Sequence, residues 1–325
     1  MRKIILLIII AFVTMLMNLY FGSVSIPFTE VTSILFGNSN TNETAHFIIL
    51  QSRFPAAVTA ILCGAALSVC GLILQSYFRN PLAGPSILGI TSGSNLAVAI
   101  SMLYIGATSP ISITMSAFAG AVIILTILLL LGRIIRDSTT LLIVGILISF
   151  LSSALITLIN YYNSADGAYS LLVWGMGSFN VVGLDNLFVF SVLIIIGIAL
   201  TILLIKPLNG WMLGEYYARN LGINIKFTRV MTLFITGLLA AVTTAFCGPI
   251  SFIGLSIPHL ARMITQTDNH RILLPTSAIL GAICASLCLF ISTLPNNGSL
   301  LPINALTPIF GIPIILYILL TPKVH

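Results

Sequence analysis

Charge is nearly absent from this chain over stretches long enough to cross a lipid bilayer. A spanning helix needs roughly 20 apolar residues, and such stretches fall near residues 4–21, 56–76, 86–106, 111–132, 140–159, 187–205, 230–247, 250–264, 272–292 and 303–320. With 58% of the 325 residues hydrophobic, 6% charged and a mean hydropathy of +1.15, an ordinary water-facing surface cannot be built. The expected fold is therefore all-α, a polytopic membrane protein of about ten transmembrane helices in a single domain, residues 1–325. The stretch at 250–264 is short and holds Gly254 and Pro258, so a kink or break is expected there. The first stretch follows Arg2 and Lys3 without a small-x-small cleavage site, which reads as a retained helix.

The cations choose an orientation. With a cytoplasmic N-terminus and ten spans, the inner loops receive Arg2, Lys3, Arg79, Arg133, Arg136, Lys206, Arg219, Lys226, Arg229, Arg262, Arg271 and Lys323, leaving Arg53 outside as the exception among 13 basic residues. This bias is the positive-inside pattern, and a wrong span count would scatter it. Both termini are then expected in the cytoplasm. The net charge of +6 reflects the same bias; it attracts anionic lipid headgroups and needs no nucleic-acid partner.

Much chemistry is missing. Glu30, Glu43, Asp166 and Asp185 fall in outer loops and Asp137, Glu215 and Asp268 in inner ones, so no acid offers an intramembrane proton or ion relay. A phosphate-cradling G-x-x-x-x-G-K-[ST] loop is absent too, so an ATP-driven process would place ATP and magnesium on another chain. The four histidines are dispersed, and Cys63, Cys70, Cys247, Cys284 and Cys288 lie in apolar windows as small hydrophobes, which argues against an enzyme and against a bound metal or cofactor.

Several features punctuate the apolar background. Gly64, Ser68, Gly71 and Gln75 form one small-residue stripe on the second helix, suited either to close helix packing or to lining a pathway. Arg79 to Pro85 must interrupt any helix, and the next helix opens with Gly89, Gly93 and Asn95 facing protein or a cavity. Residues 84–89 are partly echoed at 248–254, from the other side of the membrane, as in an inverted repeat or by chance. Pro258 and His259 before Arg262 read as a kinked helix end with a solvated histidine, or as a contact for a cytoplasmic partner. Outside, Ser25 to Leu35 suggests a surface helix with Pro27 in its first turn, 37–46 a polar loop, 161–184 a connection holding a short helix or re-entrant segment, and Asp185 a cap.

A family resemblance joins these features. Ser52-Arg53-Phe54-Pro55, Gly64 to Ser68 with Gly71, Asn80 to Pro85 with Leu88-Gly89, Gly145, Trp174 to Ser178, Leu213-Gly214-Glu215 with Ala218, Leu221 and Gly222, and Cys247 to Leu255 with Pro258 to Arg262 resemble, in order, the FecCD-type permeases of ABC importers for iron-siderophore, haem and cobalamin. The resemblance spans nearly the whole chain. It implies a type II importer permease in a bacterial inner membrane, a homodimer around a central pathway, two cytoplasmic ATPase subunits and an external substrate-binding protein. A secondary carrier or channel without an ATPase is the alternative.

The resemblance also implies roles. Arg53 would meet acids on the binding protein, against a simpler reading as a snorkelling arginine; the family's usual second arginine is Ala56 here, residues 294–301 hold none, and acids usual near Ser292 and Leu300 are missing. Ser138, Thr139 and Thr140, with Asn80, match the cytoplasmic gate, although Ser138 or Thr139 capping the helix would explain the same residues. The connection 206–226 matches the coupling segment: Pro207, Asn209 and Gly210 are expected to break the sixth span, Met212–Leu221 to form a short helix ended by Gly222, and Glu215 and Arg219 to pair. On it Leu213, Tyr217 and Leu221 would supply apolar contact to an ATPase while Gly214 and Ala218 allow close approach.

Overall fold

The computed structural model describes residues 2–36, 42–107, 109–135, 137–294 and 300–320, and among them no β-strand occurs. Helix α1 (Arg2–Tyr20) is followed by the short α2 (Phe28–Leu35), with Pro27 as its N-cap residue rather than within its first turn. Helix α3 (Glu43–Phe47), capped by Asn42, runs through a π-helical turn (Ile48–Arg53) directly into α4 (Phe54–Phe78). The expected polar loop at 37–46 is therefore helical from Glu43, and its first residues, 37–41, lie outside the described ones. Helix α5 (Ile90–Ile100) ends in a π-helical segment to Ile105, and α6 (Pro110–Ile134) and α7 (Ser138–Tyr162) follow. The short α8 (Ala165–Gly175) occupies the 161–184 connection.

Helix α9 (Leu184–Leu200) has Gly183 as its N-cap residue, which leaves Asp185 inside the first turn instead of capping it. It continues through a 3-10 turn (Thr201–Leu204) into α10 (Ile205–Trp211). Pro207 thus does not break the span as expected: the tighter turn lies just before it, where an α-helical carbonyl would clash with the proline ring. Helices α11 (Glu215–Asn220), α12 (Ile225–Cys247), α13 (Ile253–Thr265), α14 (His270–Ser292) and α15 (Ile303–Leu320) complete the chain. Each expected apolar stretch coincides with a helix. Among the described residues seven helices are long and apolar enough to cross a membrane, and Ile90–Ile105 and Ile303–Tyr317 are shorter apolar helices. Helix α13, with 13 residues, is too short to span alone.

Helix α4 is the axis of the bundle, and its small residues explain why. A Cβ on Gly64 would collide with the Gly281 backbone of α14, and one on Gly71 with the Gly254 backbone of α13. Between them Ser68 Oγ donates to Ser277 O at 2.8 Å and shares a 2.6 Å contact with Ser277 Oγ. Helices brought this close gain dispersion contacts that large side chains would forbid. The stripe on α4 is therefore packing, not a pathway wall. Gln75 completes it, donating from Nε2 to Leu255 O at 3.0 Å and accepting from Arg262 Nη1 at 2.8 Å.

The outer faces differ. Leu147, Phe150, Leu151 and Leu158 of α7 are 55–69% exposed, an apolar surface fit for lipid or another chain. The cysteines are free; Cys63, Cys70, Cys247 and Cys288 are buried and Cys284 is partly so.

The echoed segments meet. Gly254 lies against Pro85, the ring Cδ being 2.9 Å from where its Cβ would stand, and both segments line one cavity of about 200 Å³. At 252 the backbone takes φ 66 on a phenylalanine, a conformation that L-residues rarely hold.

Candidate functional site

Basic side chains gather at one end of the bundle because they serve its helix ends. Lys3 Nζ reaches Ile264 O at 3.0 Å, Arg262 lies 3.7 Å from Asp268, and Arg79 donates to Trp211 O. His259, expected to be solvated, instead has Nε2 at 2.8 Å from Pro81 O and is half-buried. Asn80 is half-buried beside Pro81, its Oδ1 accepting from Leu82 N at 2.9 Å in an Asx turn.

From this end α11 projects. It covers Glu215–Asn220, shorter than the expected Met212–Leu221, because Met212 to Gly214 form a turn that needs φ 121 at Gly214. Its far end is a Schellman motif: Gly222 at φ 77 donates to Arg219 O at 3.0 Å, and Ile223 N to Ala218 O at 3.0 Å. Glu215 and Arg219 pair at 3.5 Å with both side chains at least half exposed, a contact worth about 0.3–0.5 kcal/mol. Leu213, Tyr217 and Leu221 are 64%, 62% and 64% exposed, and Tyr216 is 75% exposed. Ala218 is the exception. It is fully buried against its own chain, so the close approach it permits is internal.

The base of α11 is anchored by residues that sequence reasoning passed over. Trp211 stacks on Tyr77 with ring centroids 5.1 Å apart and donates from Nε1 to Tyr77 O at 2.9 Å. The Tyr77 hydroxyl accepts from Arg229 Nε at 2.9 Å, and Arg229 Nη1 donates to Ile135 O at 2.7 Å and Gly132 O at 3.2 Å. A continuous polar and aromatic chain thus links α11 through the ends of α4 and α12 to the α6–α7 connection. Asn209 adds a second tie: its Oδ1 accepts from His270 N at 2.9 Å, and His270 Nε2 faces Ser76 Oγ at 2.7 Å. Only the indole in a polar-ended connection signalled any of this in the sequence.

At the start of α7 the cap is Asp137, not Ser138 or Thr139. Its carboxylate accepts from Thr140 Oγ1 and Thr140 N, both at 2.7 Å. These bonds, the hydroxyl's foremost, and the charge of Arg229 hold the Asp137 carboxyl below the ordinary carboxylate range. Thr139 and Thr140 are exposed and Ser138 partly so, with the Thr140 hydroxyl turned back onto Asp137.

Near the opposite end Arg53 is 8% exposed, and its guanidinium donates to Leu19 O at 2.9 Å, Tyr20 O at 3.1 Å and Val24 O. It satisfies the orphan carbonyls at the end of α1. A free docking arginine or a snorkelling one is thereby replaced by a buried structural cap.

Helix α5 has Gly89, whose φ is 78, as its N-cap residue and packs at Gly93 against Gly120. Asn95, two residues further, lines a cavity of about 510 Å³ with Asn160, Trp174 and Asn304. Asn95 Oδ1 and Asn160 Oδ1 are buried there without a hydrogen-bond donor, whereas Asn304 is fully engaged, accepting from Ser251 N and Oγ at 3.1 Å and donating to Gly175 O at 3.0 Å. Among the described residues no three His, Cys, Asp or Glu side chains gather as metal ligands.

Known proteins share this arrangement. The vitamin B12 import system permease protein BtuC of Salmonella paratyphi A and that of Salmonella typhimurium are each 35% identical over 273 residues, covering 84% of this chain and 83% of theirs. A solved structure described as an inward-facing conformation of a metal-chelate type ABC transporter superposes with a TM-score of 0.86 at 28% identity, covering 98% of both chains. PsaBC from Streptococcus pneumoniae, at 18% identity and a TM-score of 0.55, shares the fold. The family model of the FecCD transport family matches residues 7–321, and the chain belongs to that family as a membrane-embedded permease subunit of an ABC importer.

Proposed function

We propose that the chain imports metal chelates, the substrate class that joins ferric siderophores, haem and cobalamin, as a homodimer driven by two ATPase subunits and fed by an external binding protein. Iron chelates lead this order. The relatives named for vitamin B12 and for metal chelates support the class. In this reading the basic end and both termini face the cytoplasm of a bacterium, and ATP with magnesium binds the partner.

The observation that carries the reading is the exposed apolar patch on and beside α11, where Leu213 in the turn before it, Tyr217 on it and Leu221 just after it stand clear of their own chain on a segment tied at its base to α4 and α10. A helix laid in a partner's groove uses such spaced anchors. Closure of the ATPase pair would move α11 and, through Trp211, Tyr77 and Arg229, reach the α6–α7 connection. There Ser138, Thr139 and Thr140, with Asn80, would narrow the axial pathway, and the cavity at Asn95 would open onto it.

The test is reconstitution of the permease with its genomically adjacent ATPase and binding protein in vesicles, followed by uptake of labelled ferric siderophore, haem or cobalamin. Serine at Leu213, Tyr217 and Leu221 together should leave insertion and thermal stability within about 0.5 kcal/mol while abolishing ATPase co-purification and uptake. Uptake that follows an ion gradient and ignores ATP would overturn the importer reading in favour of a carrier.

A further inference from the structure

We propose that a basic pocket between α6, α11 and α12 binds the phosphate of an anionic phospholipid headgroup. The pocket, about 650 Å³, gathers Arg133, Arg219, Lys226 and Arg229 around one acid, Glu215, with Val230 in its wall. Four cations beside one carboxylate repel one another unless an anion joins them.

The cations are not equally engaged. Arg229 is fixed by Tyr77 and by the carbonyls of Gly132 and Ile135, and Arg219 is paired with Glu215. The two ion pairs among the described residues, Glu215–Arg219 and Arg262–Asp268, leave Arg133 and Lys226 without an acid. Asp137 is the other nearby carboxylate; Thr140 holds it and it does not line the pocket. A phosphate oxyanion thus meets two cations that have no ion-pair partner beside a third already aligned.

A free phosphate would use the same cations, but the surroundings favour a lipid. From the pocket an apolar strip runs along α12, Phe227, Val230 and Phe234 being 49%, 38% and 40% exposed at helical spacing. A matching strip on α6 consists of Ile127, Leu130 and Ile134, 37%, 53% and 78% exposed. The two helices pack together, with Leu233 Cδ1 3.2 Å from the Cβ position of Gly132. Acyl chains along such strips would leave the headgroup at the level of Arg133 and Lys226, where anionic lipid attracts basic side chains. Because Arg219 contacts both Glu215 and the pocket, the lipid would compete with Glu215 and so adjust α11.

The experiment titrates the full-length permease, delipidated in neutral detergent, with phosphatidylglycerol or phosphatidylcholine of equal acyl length, and reads bound lipid by native mass spectrometry. Phosphatidylglycerol should be retained on the order of thirtyfold more strongly, as two basic side chains at a charged surface allow. In the double variant R133A/K226A that preference should vanish while the melting temperature of the delipidated protein does not fall, since the variant relieves repulsion among the cations. Phosphatidylglycerol should also raise the melting temperature of the original protein and not that of the variant. Equal retention of the two lipids, or an undiminished preference in the variant, would overturn the site. Displacement of phosphatidylglycerol by millimolar inorganic phosphate would overturn the lipid source. None of these readouts involves an ATPase, so failure here is separable from failure of the importer reading.

Discussion

The face of α4 and the face of α11 are both marked by small residues, yet they do opposite things. On α4, Gly64 and Gly71 remove side chains so that α14 and α13 can touch the backbone, and the polar groups between them are satisfied inside the chain. On α11, Gly214 and Gly222 supply positive φ at the two ends, Ala218 seats the helix on its own protein, and the large apolar residues are left outside. Small residues therefore signal closure in one place and presentation in the other. What separates the two cases is where the neighbouring large side chains go.

Breaking the closed face should have the largest effect. In Gly71→Leu a side chain would have to occupy space held by the Gly254 backbone, which cannot retreat without dislodging α13. A loss of roughly 3 kcal/mol or more is expected, read as failure to insert or as a collapse of the detergent-solubilised melting transition. A variant that melts like the original protein would show that the α4–α13 contact is looser than its geometry.

The helix-capping Arg53 sharpens the comparison next. Arg53→Met should strand the carbonyls of Leu19, Tyr20 and Val24 at a cost of about 2–3 kcal/mol. Import would fall with protein abundance, and raised salt would not change the ratio between variant and original. A salt-dependent loss of binding-protein affinity at unchanged stability would restore Arg53 as a docking residue.

A smaller effect is expected at the anchor of α11. Trp211→Phe keeps an aromatic ring against Tyr77 but deletes the donor to Tyr77 O, so stability should drop by about 1 kcal/mol. ATPase attachment should persist, since the exposed face is untouched, while uptake per ATP hydrolysed declines. Unchanged coupling would mean that motion of α11 bypasses Trp211.

The bundle itself was legible because apolar length is a property of single segments, and every expected stretch became a helix. Turn-forming residues also placed a short helix in the connection 206–226, and i, i+4 spacing anticipated Glu215 with Arg219. Side-chain direction was not legible. Arg53 was expected at a surface and turned inward because the free carbonyls ending α1 lie 34 and 33 residues away in sequence and adjacent in space. Pro207 was read as a breaker because a 3-10 turn, which accommodates it, leaves no local signal. Tyr77, Trp211 and Arg229 escaped notice for the same reason: their bonds join four helices, and none is near in sequence to its partner.

The smallest expected effect separates the hydroxyl cluster of α7 from its cap. Asp137 accepts from the hydroxyl and N–H of Thr140, and these bonds depress its titration in the folded protein. The unfolded carboxyl titrates near about 4, so the ionised cap contributes its full stabilisation above that value. The contribution fades as pH falls through the lower folded value, where the proton removes both the acceptor and the favourable charge at a helix N-terminus. Asp137→Asn keeps a side-chain acceptor but no charge. The melting temperature of the original protein should therefore exceed that of the variant by a small constant margin between about pH 5 and 8 and converge with it in stronger acid. Thr140→Val should narrow the same margin by removing the hydroxyl bond. A margin that instead grew on acidification would mean that the Asp137 carboxyl gains its partner when protonated, and that the start of α7 is held by something other than this cap.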